Sequence, residues 1–316
     1  MLKMTLAGVM AAAAVLAVGA PAPALAKPPA AKTAPAGKTQ DKYADNNGVK
    51  IHYVVQGKGP LVVMIHGFPD YWATWKPLMA TLSAAGYRTA ALDTRGYNLS
   101  DKPQGVAAYA MPNLVGDVAA VIAAAGQKDA VVVGHDWGAA IAWNVVLTRP
   151  ELVNKLVILS VPHPAGMARE LATNKDQQAN SQYARNFQKE GSEKLLTAER
   201  LASMANKNPA EKAGYLEAFN RSDFGAMMNY YRANYPRIAP GDPPPPAQTF
   251  PKIKVPVLVL HGMKDTALNA QGHAGTWNQV DADTTILMIP SAGHFLQHDA
   301  EALVDRTIKD WLDARR

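Results

Sequence analysis

The sequence predicts an α/β fold in which a mostly parallel central sheet is flanked by helices and carries an inserted helical cap. Three observations predict it. Short apolar runs recur along the chain, as expected of strands covered on both faces. Helix-like stretches separate them. The alternation stops after Leu159 and resumes at Val255, leaving a polar interval rich in aromatic residues and helical in character.

The first residues stand apart. Lys3 supplies a positive charge, Leu6 to Val18 is apolar, and a stretch of small residues ends at Ala26. That pattern predicts a secretory signal peptide over residues 1–26, and with it a periplasmic or secreted protein. The apolar run falls short of the roughly 20 residues a membrane span needs. Residues 27–40 are mostly Pro, Ala and Lys and are expected to form a disordered tail. The chain has no Cys, so no disulfide can form and the core alone must hold the fold.

The body is expected to start at residue 41. Val49–Val55 follows the turn dipeptide Asn47-Gly48 and reads as a hairpin strand. Strands are then expected at Leu61–Ile65, Thr89–Leu92, Ala130–Val133 and Leu156–Leu159. Helices are expected at Trp75–Ala85, Asn113–Ala125 and Ala139–Thr148. Residues 41–162 make the first part of the core, and residues 163–246 the cap. The cap closes on Pro243–Pro246, a stiff extended connector. Residues 247–316 complete the sheet with strands at Val255–Leu260 and Thr285–Ile289.

The formal charge is +6, but the Lys and Arg residues are scattered without a dense basic run. A solvated basic surface accounts for this, and no nucleic-acid partner is expected.

Gly134-His135-Asp136-Trp137-Gly138 lies between a strand and a helix. A strand, sharp turn and helix with Gly two before and two after the central residue is the pattern of a nucleophile elbow, here with a carboxylate at its tip. Asp is also a favoured helix N-cap, and the elbow alone does not separate the two roles. Chain order does. Asp265 follows one strand and His294 follows the next, giving nucleophile, acid and His in sequence. Both sit at strand carboxyl ends, where open α/β sheets place their chemistry. Asp265 would orient His294 and stabilise its imidazolium. His66-Gly67-Phe68-Pro69 follows the strand Leu61–Ile65, so the Phe68 and Trp137 backbone N–H groups are the expected oxyanion hole. His66, Pro69 and Trp72 are expected to line the substrate pocket.

These pieces resemble the epoxide hydrolases of the α/β-hydrolase superfamily. The resemblance rests on His66–Asp70, on Asp93–Tyr97 with Ser100–Pro103, on Gly134–Gly138 and on Gly293-His294-Phe295. It spans roughly Tyr43 to Trp311. It implies a covalent ester on Asp136, hydrolysed by water that His294 and Asp265 activate. It also implies two cap Tyr that bind the epoxide oxygen, which match Tyr183 and Tyr231, with Tyr230 the neighbour most easily confused. A phenol of pKa about 10 can donate to an oxygen becoming an alkoxide. Dehalogenases share the Asp nucleophile, so an organohalide substrate is the alternative. Position 68 is Phe, where haloalkane dehalogenases typically carry Asn, and Trp137 stands where haloacetate dehalogenases usually have Arg. A non-catalytic pocket-binding protein is a third reading, opposed by the intact Asp, Asp and His set. Asn98 departs from the Gly frequent at that place. His163, between Pro162 and Pro164, reads as a cap hinge. The expected partner is a small epoxide or organohalide, with no membrane contact beyond export, and no cofactor or metal is implied.

Overall fold

The computed structural model describes residues 37–206, 208–237 and 248–316. The expected signal peptide, most of the expected tail and the Pro243–Pro246 connector lie outside the described residues.

The chain opens with a hairpin of β1 (Gln40–Asn46) and β2 (Val49–Gly57). Asn47 and Gly48 both take positive φ, the geometry a two-residue hairpin turn requires. The strand starts at Gln40, inside the expected tail, and the Gly37 carbonyl accepts from the Gln56 side chain. Residues 37–40 are therefore tied to the sheet.

Next come β3 (Leu61–Ile65), α1 (Lys76–Ala84), β4 (Arg88–Leu92), α2 (Met111–Ala124), β5 (Ala130–His135), α3 (Trp137–Thr148) and β6 (Val153–Leu159). Among the described residues, six helices follow without a strand: α4 (Pro164–Thr173), α5 (Lys175–Asn180), α6 (Gln182–Phe187), α7 (Ala198–Ala205), α8 (Lys212–Asn220) and α9 (Phe224–Asn234). They form the helical cap. The chain then returns to the sheet through β7 (Val257–Gly262) and β8 (Thr284–Ile289), and ends in α10 (Leu296–Asp299) and α11 (Glu301–Asp313).

The eight strands lie in the order β1-β2-β4-β3-β5-β6-β7-β8. β2 is antiparallel to both its neighbours, and every other pairing outside the hairpin is parallel. The central strands β3, β5 and β7 are buried at every residue, which is why each reads as an unbroken apolar run. Two apolar layers result. One, with Val63, Val132 and Val259, faces α2, α3 and the cap, while the other, with Val62, Val133 and Leu258, faces α1 and α11. Among the described residues, no helix is long and apolar enough to cross a membrane.

Candidate active site

Asp136 sits at the junction of β5 and α3 with φ 50° and ψ −123°. Its side chain caps no helix N–H, so the N-cap role is not taken. The strained turn fits where it does because Gly134 has no side chain: a Cβ there would lie 2.3 Å from the Gly138 carbonyl oxygen. The carboxylate is thereby held out at the carboxyl end of the sheet.

Its two oxygens have different partners. Oδ1 accepts from the Phe68 backbone N–H at 2.7 Å. Oδ2 lies 3.3 Å from His294 Nε2. His294 Nδ1 in turn lies 2.7 Å from Asp265 Oδ2. Asp265 is pinned through its other oxygen, which accepts the Ala267 and Leu268 backbone N–H groups. The structure thus brings Asp136, Asp265, His294 and Phe68 together. Trp137 lies alongside, at the first residue of α3, but among the described residues its backbone N–H is not bonded to Asp136.

The charges support one another. Burial pushes the Asp136 carboxyl up, but the hydrogen bond and charge of His294 outweigh it and hold the group below the usual carboxylate range. Asp265 is likewise pushed up by burial and held low by His294. Burial alone would lower His294, yet the two carboxylates raise it to about 10. The resting site therefore holds an imidazolium between two carboxylates.

A cavity of about 540 Å³ is lined by Asp136, Trp137, Tyr183 and Tyr231. Ala140 and Asn144 of α3, Met167 and Leu171 of α4, and Leu268 continue the wall. Tyr231 stands edge-on to Trp137, Phe68 and Phe187, with ring centres 5.1, 5.8 and 5.1 Å away. Among the described residues, neither the Tyr183 nor the Tyr231 hydroxyl donates to a protein acceptor, whereas Tyr230 donates to the Arg95 carbonyl at 2.8 Å. Burial, then the Asp136 charge, raises Tyr183 and Tyr231 well above a free phenol, so both keep their protons. Among the described residues, no group of three or more His, Asp or Glu side chains is placed to hold a metal ion.

The expected pocket residues His66, Pro69 and Trp72 are not in this lining. His66 is fully buried, with Nδ1 on the Gly67 carbonyl and Nε2 accepting the Thr94 backbone N–H at 3.0 Å. It ties the loop after β3 to the loop after β4. Trp72 donates its backbone N–H to Asp93 and stacks under the Lys76 ammonium, outside the cavity. Pro69 lies between them and Phe68, on the loop itself. Strand-end position was readable, but the direction each side chain takes from the loop was not.

His163 caps α4, its Nδ1 accepting the Ala165 N–H at 3.1 Å, and its ring packs edge-on against Trp143 and Phe250. Burial lowers it to about 4, so it is a neutral capping group at the entry to the cap. Asn98 takes a φ of 39° and donates to Asp93, which lets Asn hold a left-handed position. Two residues outside the expected set, Ser160 and His135, both donate to the His294 carbonyl at 2.8 Å. His135 lies inside the elbow motif, but nothing in the sequence pairs it with a residue so far along the chain.

Residues 60–301 match the model of the family described as alpha/beta hydrolase fold. The AB hydrolase superfamily protein YfhM of Bacillus subtilis is 32% identical over 285 residues, covering 86% of this chain and 97% of that protein. Epoxide hydrolase 1 of Caenorhabditis elegans is 31% identical, over 86% of this chain and 70% of its own. Among solved structures, the epoxide hydrolase of Bacillus megaterium in complex with an inhibitor superposes with a TM-score of 0.80 at 29% identity, over 86% of this chain and 100% of its own. The fold, the order of the sheet and this likeness over most of both chains have one consequence: the chain belongs to the epoxide hydrolase family of the α/β-hydrolase fold.

Proposed function

We propose that the protein opens an epoxide to a vicinal diol through a covalent ester on Asp136. The observation that carries this reading is the pair of phenols, Tyr183 and Tyr231, that line the same cavity as Asp136 and, among the described residues, donate to no protein acceptor. A strained ether needs such donors, because its oxygen must be stabilised as it becomes an alkoxide. Its relatives named epoxide hydrolases support the same substrate class.

Asp136 Oδ2 is the attacking oxygen, because Oδ1 is held by the Phe68 N–H. The new bond joins Oδ2 to an epoxide carbon, the carbon–oxygen bond of the ring breaks, and a phenol gives its proton to the released oxygen. Esterification removes the charge on Asp136. That takes away part of what holds the proton on His294, so the ring gives it up to restore the phenol left as a phenolate and can then act as a base. Water attacks the ester carbonyl carbon while His294 takes its proton. The developing oxyanion on Oδ1 is met by the Phe68 N–H and, in this reading, by the Trp137 N–H. Collapse breaks the bond from that carbon to Oδ2, and the diol leaves with Oδ2 and the proton from His294.

The purified enzyme is expected to convert epoxides to diols and to release no halide from organohalides; halide release without diol would transfer the reading to a dehalogenase. His294→Gln is expected to accumulate the Asp136 ester, visible as a mass increase on the intact protein, and absence of that adduct with a consumed epoxide would contradict it.

Export belongs to the same reading. Residues 1–26 carry the basic start, apolar middle and small-residue end of a signal peptide, and this supports a periplasmic or secreted enzyme. A mature protein whose N-terminal sequence starts at Lys27 is the expected result, and an intact Met1 on the exported fraction would contradict it.

A further inference from the structure

The carbonyl of His294 is held as firmly as its ring. His135, the residue before Asp136, is fully buried, and its Nε2 lies 2.8 Å from the His294 carbonyl oxygen. A carbonyl only accepts, so Nε2 carries the hydrogen and Nδ1 is left as an acceptor. Gln297 Nε2 lies 3.3 Å from that Nδ1 and fixes this tautomer. The same amide nitrogen lies 3.3 Å from Thr74 Oγ1, which in turn lies 3.1 Å from His298 Nε2. His298 Nε2 is 3.4 Å from the Tyr215 hydroxyl and 3.6 Å from Asp70 Oδ2. Tyr215 donates to Asp70 Oδ1 at 2.9 Å. Tyr215 belongs to α8 of the cap; Asp70 and Thr74 belong to the segment after β3; Gln297 and His298 belong to α10.

The geometry points to a buried polar chain, running from Tyr215 and Asp70 through His298, Thr74 and Gln297 to His135, that positions His294 for ester hydrolysis and ties that position to the seating of the cap. The inference rests on the Asp136 ester reading. His135 and Gln297 are positioning residues, since neither touches the reacting atoms.

The chain ends where precision counts. His294 must serve a water poised over an ester carbonyl, and misplacing a base by about 1 Å can cost about a hundredfold in rate. Burial holds His135 down to about 4, so the ring stays neutral through the ordinary pH range and keeps one donor and one acceptor.

The test is single-turnover kinetics on the full chain with an accepted epoxide, resolving ester formation from ester hydrolysis by quenched-flow mass spectrometry. His135→Phe keeps a ring and loses the donor. It is expected to slow hydrolysis at least about tenfold and leave ester formation within about twofold, so that the ester accumulates. His135→Gln restores an N–H close to Nε2 and is expected to recover most of the hydrolysis rate. Gln297→Met and Tyr215→Phe slow the same step less. The double variant Tyr215→Phe/His135→Phe is expected to be no slower than His135→Phe alone, because the two act through one chain. Hydrolysis within about twofold of wild type in His135→Phe, equal slowing of both steps, or additive loss in the double variant would overturn the inference. If His135→Phe does not fold, Gln297→Met and Tyr215→Phe with Gln297→Met decide it by the same criteria. Failure of the ester reading is separate: there, His294→Gln and wild type give no Asp136 adduct at all.

Discussion

The Phe68 backbone N–H donates to Asp136 Oδ1 at 2.7 Å, and that bond makes the two carboxylate oxygens unequal. Oδ1 is tied to the Phe68 loop, and Oδ2 is left facing His294. The closeness of the Phe68 loop to the elbow rests on Gly67, where a Cβ would fall 2.3 Å from Asp136 Cβ. Gly67→Ala must push the loop off the elbow. Ester formation and hydrolysis are both expected to fall by about a hundredfold or more, since both need Asp136 in this geometry. Rapid-quench rates check it.

The tyrosines separate by what their hydroxyls do. Tyr183→Phe and Tyr231→Phe are each expected to slow ester formation by roughly ten- to a hundredfold, below the full range of general acid catalysis because the other phenol remains, and to leave hydrolysis of ester already formed unchanged. Tyr230→Phe loses the bond to the Arg95 carbonyl instead. It is expected to cost about 1 kcal/mol of stability, measured by urea unfolding, with kcat close to wild type.

His294 makes folding stability pH-dependent. Its folded pKa, about 10, lies above the ordinary 6.5, so the folded state holds the proton more tightly. The contribution is full below 6.5 and is lost as the pH rises through about 10. Wild type should therefore lose more Tm between pH 7 and pH 10 than His294→Gln does, and differential scanning calorimetry at the two pH values reads the difference.

Asp305 on α11 behaves oppositely to Asp136 and Asp265. Burial, then the Glu301 charge, raises it to about 7 from 3.8, so its ionised form destabilises the fold as the pH rises from 3.8 to about 7. That span corresponds to at most about 4 kcal/mol. Asp305→Asn is expected to raise Tm at pH 8 and to have little effect at pH 4, checked by thermal melts at both.

The sheet and the Asp136, Asp265 and His294 set were legible because covered strands read as apolar runs and because chain order is fixed by the fold. Leu61–Ile65 was expected and observed with the same bounds. The hairpin was legible from Asn47-Gly48. Direction off a loop was not: His66 turns inward onto Thr94 and never reaches the cavity. The α3 and α4 wall of the cavity was hidden for another reason. Ala140, Asn144 and Met167 face it only because the cap folds back over α3, and no local pattern encodes that. The bond between His135 and the His294 carbonyl joins residues on β5 and after β8, a pairing visible only once the sheet is assembled.

In the proposed reaction Asp136 Oδ2 becomes an oxygen of the product. One turnover with enzyme in excess over epoxide, run in ¹⁸O-labelled water, tests it most directly. The diol is expected to carry no label, and the Asp136-containing peptide to gain one ¹⁸O. Label in the diol on the first turnover, with an unlabelled Asp136, would mean that water attacks the epoxide itself and would contradict the account.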